Sequence, residues 1–166
     1  MVLSVRTCPQ SQRAGHCGES SPRWGMLLQV IGFSLLWQGH LWTRTLTLWR
    51  LVLCVVLFAL AALLSWTSSR ALSGHLRADA ALGAEHTLVR AGPYALVRNP
   101  IYTSMLLVVC AIGIVMTGWM LFLAALVAFV VGTEIRVRAE EQLLASRFGK
   151  EFQAYRKAVP AYIPFL

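Results

Sequence analysis

Three stretches of the chain carry no charged residue: about Trp24 to Leu41, about Leu51 to Thr67, and Pro100 to Thr133. Long, nearly unbroken apolar runs without period-two alternation read as helices in an apolar surrounding. Gln29 and Gln38 are the main polar interruptions of the first. The third is too long for one span: as a single helix it would reach roughly 50 Å, well past a ~30 Å hydrocarbon core. It is expected to turn back at Thr117-Gly118 as a tight helical hairpin, which gives about four transmembrane helices. Each half of the divided run is short, so the last helix is expected to continue through Glu134, Arg136 and Glu140. Ionisable groups are thereby placed at the membrane boundary, where they are costly unless paired or functional.

Composition agrees with that layout. Hydrophobic residues make up 57% of the 166 positions and charged residues 13%, more apolar surface than a soluble domain of this size hides. The expected fold class is an all-α integral membrane protein. A net charge of +8 raises the question of nucleic acid, but the basic residues flank the apolar runs, the pattern of membrane topology. No nucleic-acid partner is expected. Arg6, Arg13 and Arg23 in the N-terminal tail, and Arg70, Arg77, Arg90 and Arg98 in the middle loop, share one side with the C-terminal tail. Arg44 and Arg50 lie opposite, so both termini are expected in the cytosol. Trp37, Trp42, Trp49, Trp66 and Trp119 near span ends suit an interfacial belt. Residues 1–23 lack the apolar core of a signal peptide and read as a disordered tail, with 24–166 as one membrane domain. Cys8 and Cys17, with His16 between them, match no standard ligand spacing, so no metal is expected. Cys54 and Cys110 read as small buried packing residues.

Chemistry gathers beside the spans. Ala124, Ala128 and Gly132 form a small-residue series along which helices can approach closely. The same four-residue step continues to Arg136 and Glu140, drifting about 40° each time. The middle loop, about Ser68 to Asn99, is longer than a mere connection needs. At its end Asn99 suits an N-cap and Pro100 a first helical position, leaving free N–H groups at a helix start. Arg98, Arg136, Glu140 and Glu141 admit two readings. They form an ion-pair cluster, with Arg136 and Glu140 at i,i+4 and Arg98 on either glutamate, or they hold a ligand bearing both an amine and a carboxylate. His86 alone in the loop reads first as a surface or capping residue. The tail "FGKEFQAYRKAVPAYIPFL" spaces Phe148, Phe152, Tyr155, Tyr162 and Phe165 among basic residues, as an amphipathic interfacial segment does.

Taken in order, "EHTLVRAGPYALVRNPIY", a hydrophobic hairpin and "EIRVRAEEQLLASRFGKEFQAYRKAVPAYIP" resemble the isoprenylcysteine carboxyl methyltransferase family, a relation of the phospholipid methyltransferases. The resemblance covers roughly Ala71 to Phe165. It implies a small multi-helix membrane enzyme that uses S-adenosyl-L-methionine without a Rossmann fold, consistent with the lack of a strand–glycine-loop–helix fingerprint. The cytosolic loop and C-terminal helix would form the cofactor site. By resemblance, His86, Thr87, Leu88, Val89 and Tyr94 line the cofactor, and Asn99, Pro100, Ile101 and Tyr102 continue the pocket. Glu140 and Glu141 join from the last helix, and Asp79 lies at the outer edge. Arg136 takes the substrate side, with Arg98 as the other catalytic candidate. One position departs from the family: Asn99 stands where histidine is usual, and an amide neither takes up nor releases a proton near neutral pH.

The acceptor implied is a lipophilic or lipidated molecule entering from the bilayer, by resemblance a carboxylate such as a prenylcysteine-like group. Phospholipid amines and small thiols stay open. Sterol-type reductases share part of the pattern and use NADPH, which makes a second enzyme class. A non-catalytic helical bundle is the third reading.

Overall fold

The computed structural model describes residues 20–38, 47–82, 88 and 90–162. Helix α1 is Ser20–Trp37, α2 Leu48–Leu82, α3 Pro100–Met116, α4 Trp119–Phe148 and α5 Lys150–Ala158, with a 3₁₀ turn at Gly92–Ala95. The described residues contain no strand.

The hairpin break falls where the apolar run demanded it. Helix α3 ends at Met116, and the Thr117 hydroxyl donates to the Leu36 carbonyl of α1 at 3.2 Å. The two arms then diverge: α3 packs along α2, while α4 packs along α1. Near the turn the Phe122 ring fills the space left by Gly113. Leu36, Val109, Phe122, Ala125 and Phe129 form the buried core. Phe33 meets Phe129 edge to face at 5.5 Å between centroids.

Close approach of α1 and α4 depends on glycine. A Cβ on Gly132 would stand 2.7 Å from the Gly25 carbonyl oxygen, and one on Gly32 would stand 2.9 Å from that of Ala125. The expected seam of Ala124, Ala128 and Gly132 is corrected accordingly. Ala124 is exposed and Ala128 half-buried, and the packed stripe runs through Ala125, Phe129 and Gly132. The bulk of Phe129 fits because Gly32 lies opposite it.

Among the described residues, two helices are long and apolar enough to cross a membrane: α2 over Leu48–Ser73, and α4. The first leaves Val55, Leu60, Leu63 and Trp66 exposed, an outer face suited to lipid. Of the about four spans expected, these two are the ones that length and hydropathy support. Helix α3 has 17 residues, roughly 25 Å of rise, and α1 has 18 with Arg23 among them. A second correction concerns the middle loop: α2 runs on to Leu82, so half of that segment is helical. Ala71, Leu72, Leu76, Arg77, Ala78 and Ala80 to Leu82 are good helix formers and carry the helix past Ser73, Gly74 and Asp79. Cys54 and Cys110 are half-buried rather than buried, Cys110 packing against the core. Cys8, Cys17 and residues 1–19 lie outside the described residues.

Candidate functional site

Residues 90–99 form a short bridge between α2 and α3. Gly92 sits at φ +63°, a left-handed conformation that glycine adopts without a Cβ clash, and Pro93 fixes the next φ. The amides of Leu96 and Val97 close back on the Pro93 carbonyl at 3.1 Å each. The chain then pairs with the segment that follows α5: Arg98 N donates to Pro160 O at 2.9 Å and Asn99 N to Ala161 O at 3.2 Å. Asn99 Nδ2 reaches the same Ala161 carbonyl at 3.3 Å. Asn99 occupies the N-cap position of α3 but makes no side-chain cap, which corrects that part of the expectation. Its amide clamps the C-terminal strap instead. Thr103 completes the clamp through its hydroxyl, which donates to Tyr162 O at 3.2 Å.

So anchored, the 98–102 stretch faces the C-terminal half of α4. Arg98 Nη1 meets Glu141 Oε1 at 2.5 Å, with side chains 12% and 13% exposed. Glu141 Oε2 lies 3.4 Å from Arg156 of α5. Arg98 Nε is buried with no partner among the described residues. One residue earlier on α4, Glu140 accepts a hydrogen bond from the Tyr102 hydroxyl. Arg136 Nη2 stands 3.6 Å from the same Glu140 oxygen, and its guanidinium lies 5.5 Å from the Tyr102 ring centroid. Consecutive residues of a helix point about 100° apart, so Glu140 and Glu141 serve two neighbouring faces.

The Glu141 face lines a cleft of about 420 Å³, within the range of small-molecule pockets. Its charged groups are Arg98, Arg138, Arg156, Glu134 and Glu141, with Gln142 beside them. Glu134 takes Arg138 Nε at 2.7 Å and the Tyr162 hydroxyl at 3.0 Å. Burial pushes the Tyr162 phenol upward, and the Glu134 carboxylate adds to that. Burial likewise raises Tyr155, to about 12, against the opposing charge of Arg98. Its hydroxyl donates to the Tyr94 carbonyl at 2.6 Å and ties α5 to the 3₁₀ turn. Arg90 of the bridge pairs with Glu151 of α5 at 2.9 Å.

The sequence-predicted set is thus partly gathered. Arg98, Asn99, Tyr102, Arg136, Glu140 and Glu141 come together around the strap and the end of α4. Pro100 is fully buried as packing at the start of α3, while Ile101 is 37% exposed. Tyr94 is half-buried in the bridge, and Leu88 is half-buried ahead of it. Asp79 falls on α2, its side chain outside what is described. His86, Thr87 and Val89 lie outside the described residues, and so does Phe165. Sequence reasoning marked Glu134 only as a boundary charge, passed over Arg138, Gln142, Arg156 and Tyr162 as site groups, and took Gln29 only as a polar interruption of an apolar run. A lone buried amide in such a run was a signal, because hydrocarbon offers it no partner.

A family model described as phospholipid methyltransferase matches residues 49–151. Over 81 residues the chain is 35% identical to the cobalt-zinc-cadmium resistance protein CzcN of Cupriavidus metallidurans, a match covering 49% of this chain and 37% of that protein. The chain thus aligns with little more than a third of that relative's length. The family match takes in α2 to α4 and the glutamate pair, and the chain belongs to the phospholipid methyltransferase family.

Proposed function

We propose that this member of the phospholipid methyltransferase family transfers a methyl group from S-adenosylmethionine to an acceptor held in the membrane. One observation carries the proposal beyond family membership. Glu140 and Glu141, adjacent on α4, each engage the 98–102 stretch, Tyr102 with the first and Arg98 with the second, beside a cleft of mixed charge.

The residues suit that cofactor. It carries an amine, a carboxylate and a sulfonium, and the cleft supplies carboxylates and guanidiniums in its lining. The buried Arg98 Nε–H, without a partner among the described residues, is a donor in want of an anionic oxygen. Arg98 and Arg156 would hold the carboxylate end and Glu141 the amine. When bound, S-adenosylmethionine supplies a methyl group on a sulfonium that departs as a neutral thioether. The chain's own task is alignment and exclusion of water, with Tyr102 and Glu140 offering an aromatic face and a carboxylate to positive charge.

On the acceptor, Arg136 favours an anion. It gives Nη2 to Glu140 only loosely, at 3.6 Å, and a guanidinium has five N–H donors, so capacity remains for a lipophilic carboxylate of the prenylcysteine kind. A phospholipid amine is the second reading, favoured by the family's description and by the half-exposed Glu140 beside it. Both acceptors would enter from the bilayer, and the arginine pattern supports a site on the cytosolic side together with both termini.

The test is transfer of labelled methyl from S-adenosylmethionine by purified protein in phosphatidylcholine vesicles. One set carries phosphatidylethanolamine and another a farnesylcysteine amphiphile. Label in the lipid extract supports the proposal. Release as methanol by mild base identifies a carboxyl ester, whereas label on nitrogen resists it. Folded protein that labels neither set overturns both acceptors.

A further inference from the structure

Helix α1 lies outside the 49–151 segment that carries the family match, yet it reaches the site. Gln29, midway along it, is only 4% exposed. Both ends of its amide are engaged on α4. Nε2 donates to Thr133 Oγ1 at 2.9 Å, and Oε1 accepts from Arg136 Nη1 at 3.3 Å. A buried amide in an apolar helix is costly unless both its donor and acceptor are used, and here both are. The glycine crossing brings the two helices to this distance. A Cβ on Gly25 would stand 2.6 Å from Arg136 Cγ, so the arginine stem lies directly across the α1 backbone. From there the guanidinium reaches Tyr102 and Glu140.

We infer that Gln29 is a positioning residue, which orients the Arg136 guanidinium toward the acceptor. The inference rests on the methyltransferase reading with Arg136 on the acceptor side. Arg136 has long, rotatable reach, and three contacts surround it: Gln29 behind, the Tyr102 ring beneath and, more loosely, Glu140 one turn on. Only the first comes from α1. Removing it frees a charged donor that otherwise presents a fixed face to the acceptor. A helix-to-helix adhesive, by contrast, would affect stability and leave the acceptor's KM alone.

Three variants separate these roles in the vesicle assay, using whichever of the phosphatidylethanolamine or farnesylcysteine probes takes up label. Gln29→Leu removes both bonds, Gln29→Asn keeps the amide but falls short of Arg136, and Gln29→Glu keeps an acceptor for it. Gln29→Leu and Gln29→Asn are expected to raise the acceptor KM about tenfold, the scale of one hydrogen bond to a charged group. The S-adenosylmethionine KM should hold within about twofold, and Gln29→Glu should recover most of the loss. In an Arg136→Lys background the Gln29→Asn change should add little, since the two act through one contact. An unchanged acceptor KM in folded Gln29→Asn, with active wild type, overturns the positioning role alone. Wild type that labels neither probe overturns the methyltransferase reading and this inference together.

Discussion

Adjacent glutamates on one helix offer a sharp comparison. Glu141 is nearly buried against Arg98, the two side chains 13% and 12% exposed and 2.5 Å apart. Removing one partner of a buried pair leaves the other charge uncompensated, at about 3–5 kcal/mol. The pair retains a little solvent, and Arg156 at 3.4 Å is itself 62% exposed and replaces little. Glu141→Ala should therefore fall at the low end, about 3 kcal/mol of unfolding free energy. Glu140 is 45% exposed, its ion pair with Arg136 is loose at 3.6 Å, and its firmer contact is the Tyr102 hydroxyl, so Glu140→Ala should lose about 1–2 kcal/mol, less than Glu141→Ala. Reversible unfolding in mixed micelles measures both. A cycle with Arg98→Gln should return a coupling of about 2 kcal/mol for Glu141, and near zero for Glu140. If the two alanine variants proved equally stable, the division of labour between the glutamates would be refuted.

Three further outcomes follow from named contacts. Gly132→Ala sets a methyl 2.7 Å from the Gly25 carbonyl oxygen and should lower the unfolding temperature by several degrees, whereas Gly118→Ala, with nothing within 4 Å, should not. Asn99→Ala loses the Ala161 clamp, at about 1 kcal/mol, and should speed proteolysis after Lys150 or Lys157 without abolishing folding. Tyr155 is raised to about 12 against an ordinary value near 10. Folding favours its neutral form, so its contribution is intact below about pH 10 and is lost as pH climbs through about 12. Unfolding measured across that window should show the decline, and Tyr155→Phe should flatten it.

Much of this architecture was legible in the chain. Charge-free runs located the helices, the Thr117-Gly118 break followed from bilayer thickness, and the continuation of α4 followed from the shortness of its apolar half. What escaped was set by local propensity in one place and by tertiary packing in the others. Helix α2 runs past Ser68 because polar residues such as Arg70 and Arg77 are good helix formers, and falling hydropathy says nothing about helix ends. Asn99 was legible as an N-cap by residue type, but two backbone rungs bring the Ala161 carbonyl within reach, and the side chain bonds there instead. The link between Gln29 and Arg136 joins residues 107 positions apart, a separation that local pattern does not encode. The choice of Glu141 over Glu140 by Arg98 likewise depends on which face of α4 the bridge crosses.

The central claim is that the chain binds S-adenosylmethionine beside the glutamate pair. Calorimetric titration into the detergent-purified protein tests it most directly, with NADPH as the control ligand and Glu140→Ala as the variant. Saturable S-adenosylmethionine binding, weakened at least tenfold in a variant that remains folded, is the predicted result. No binding by well-folded wild type, or a saturable signal with NADPH in its place, would contradict the account.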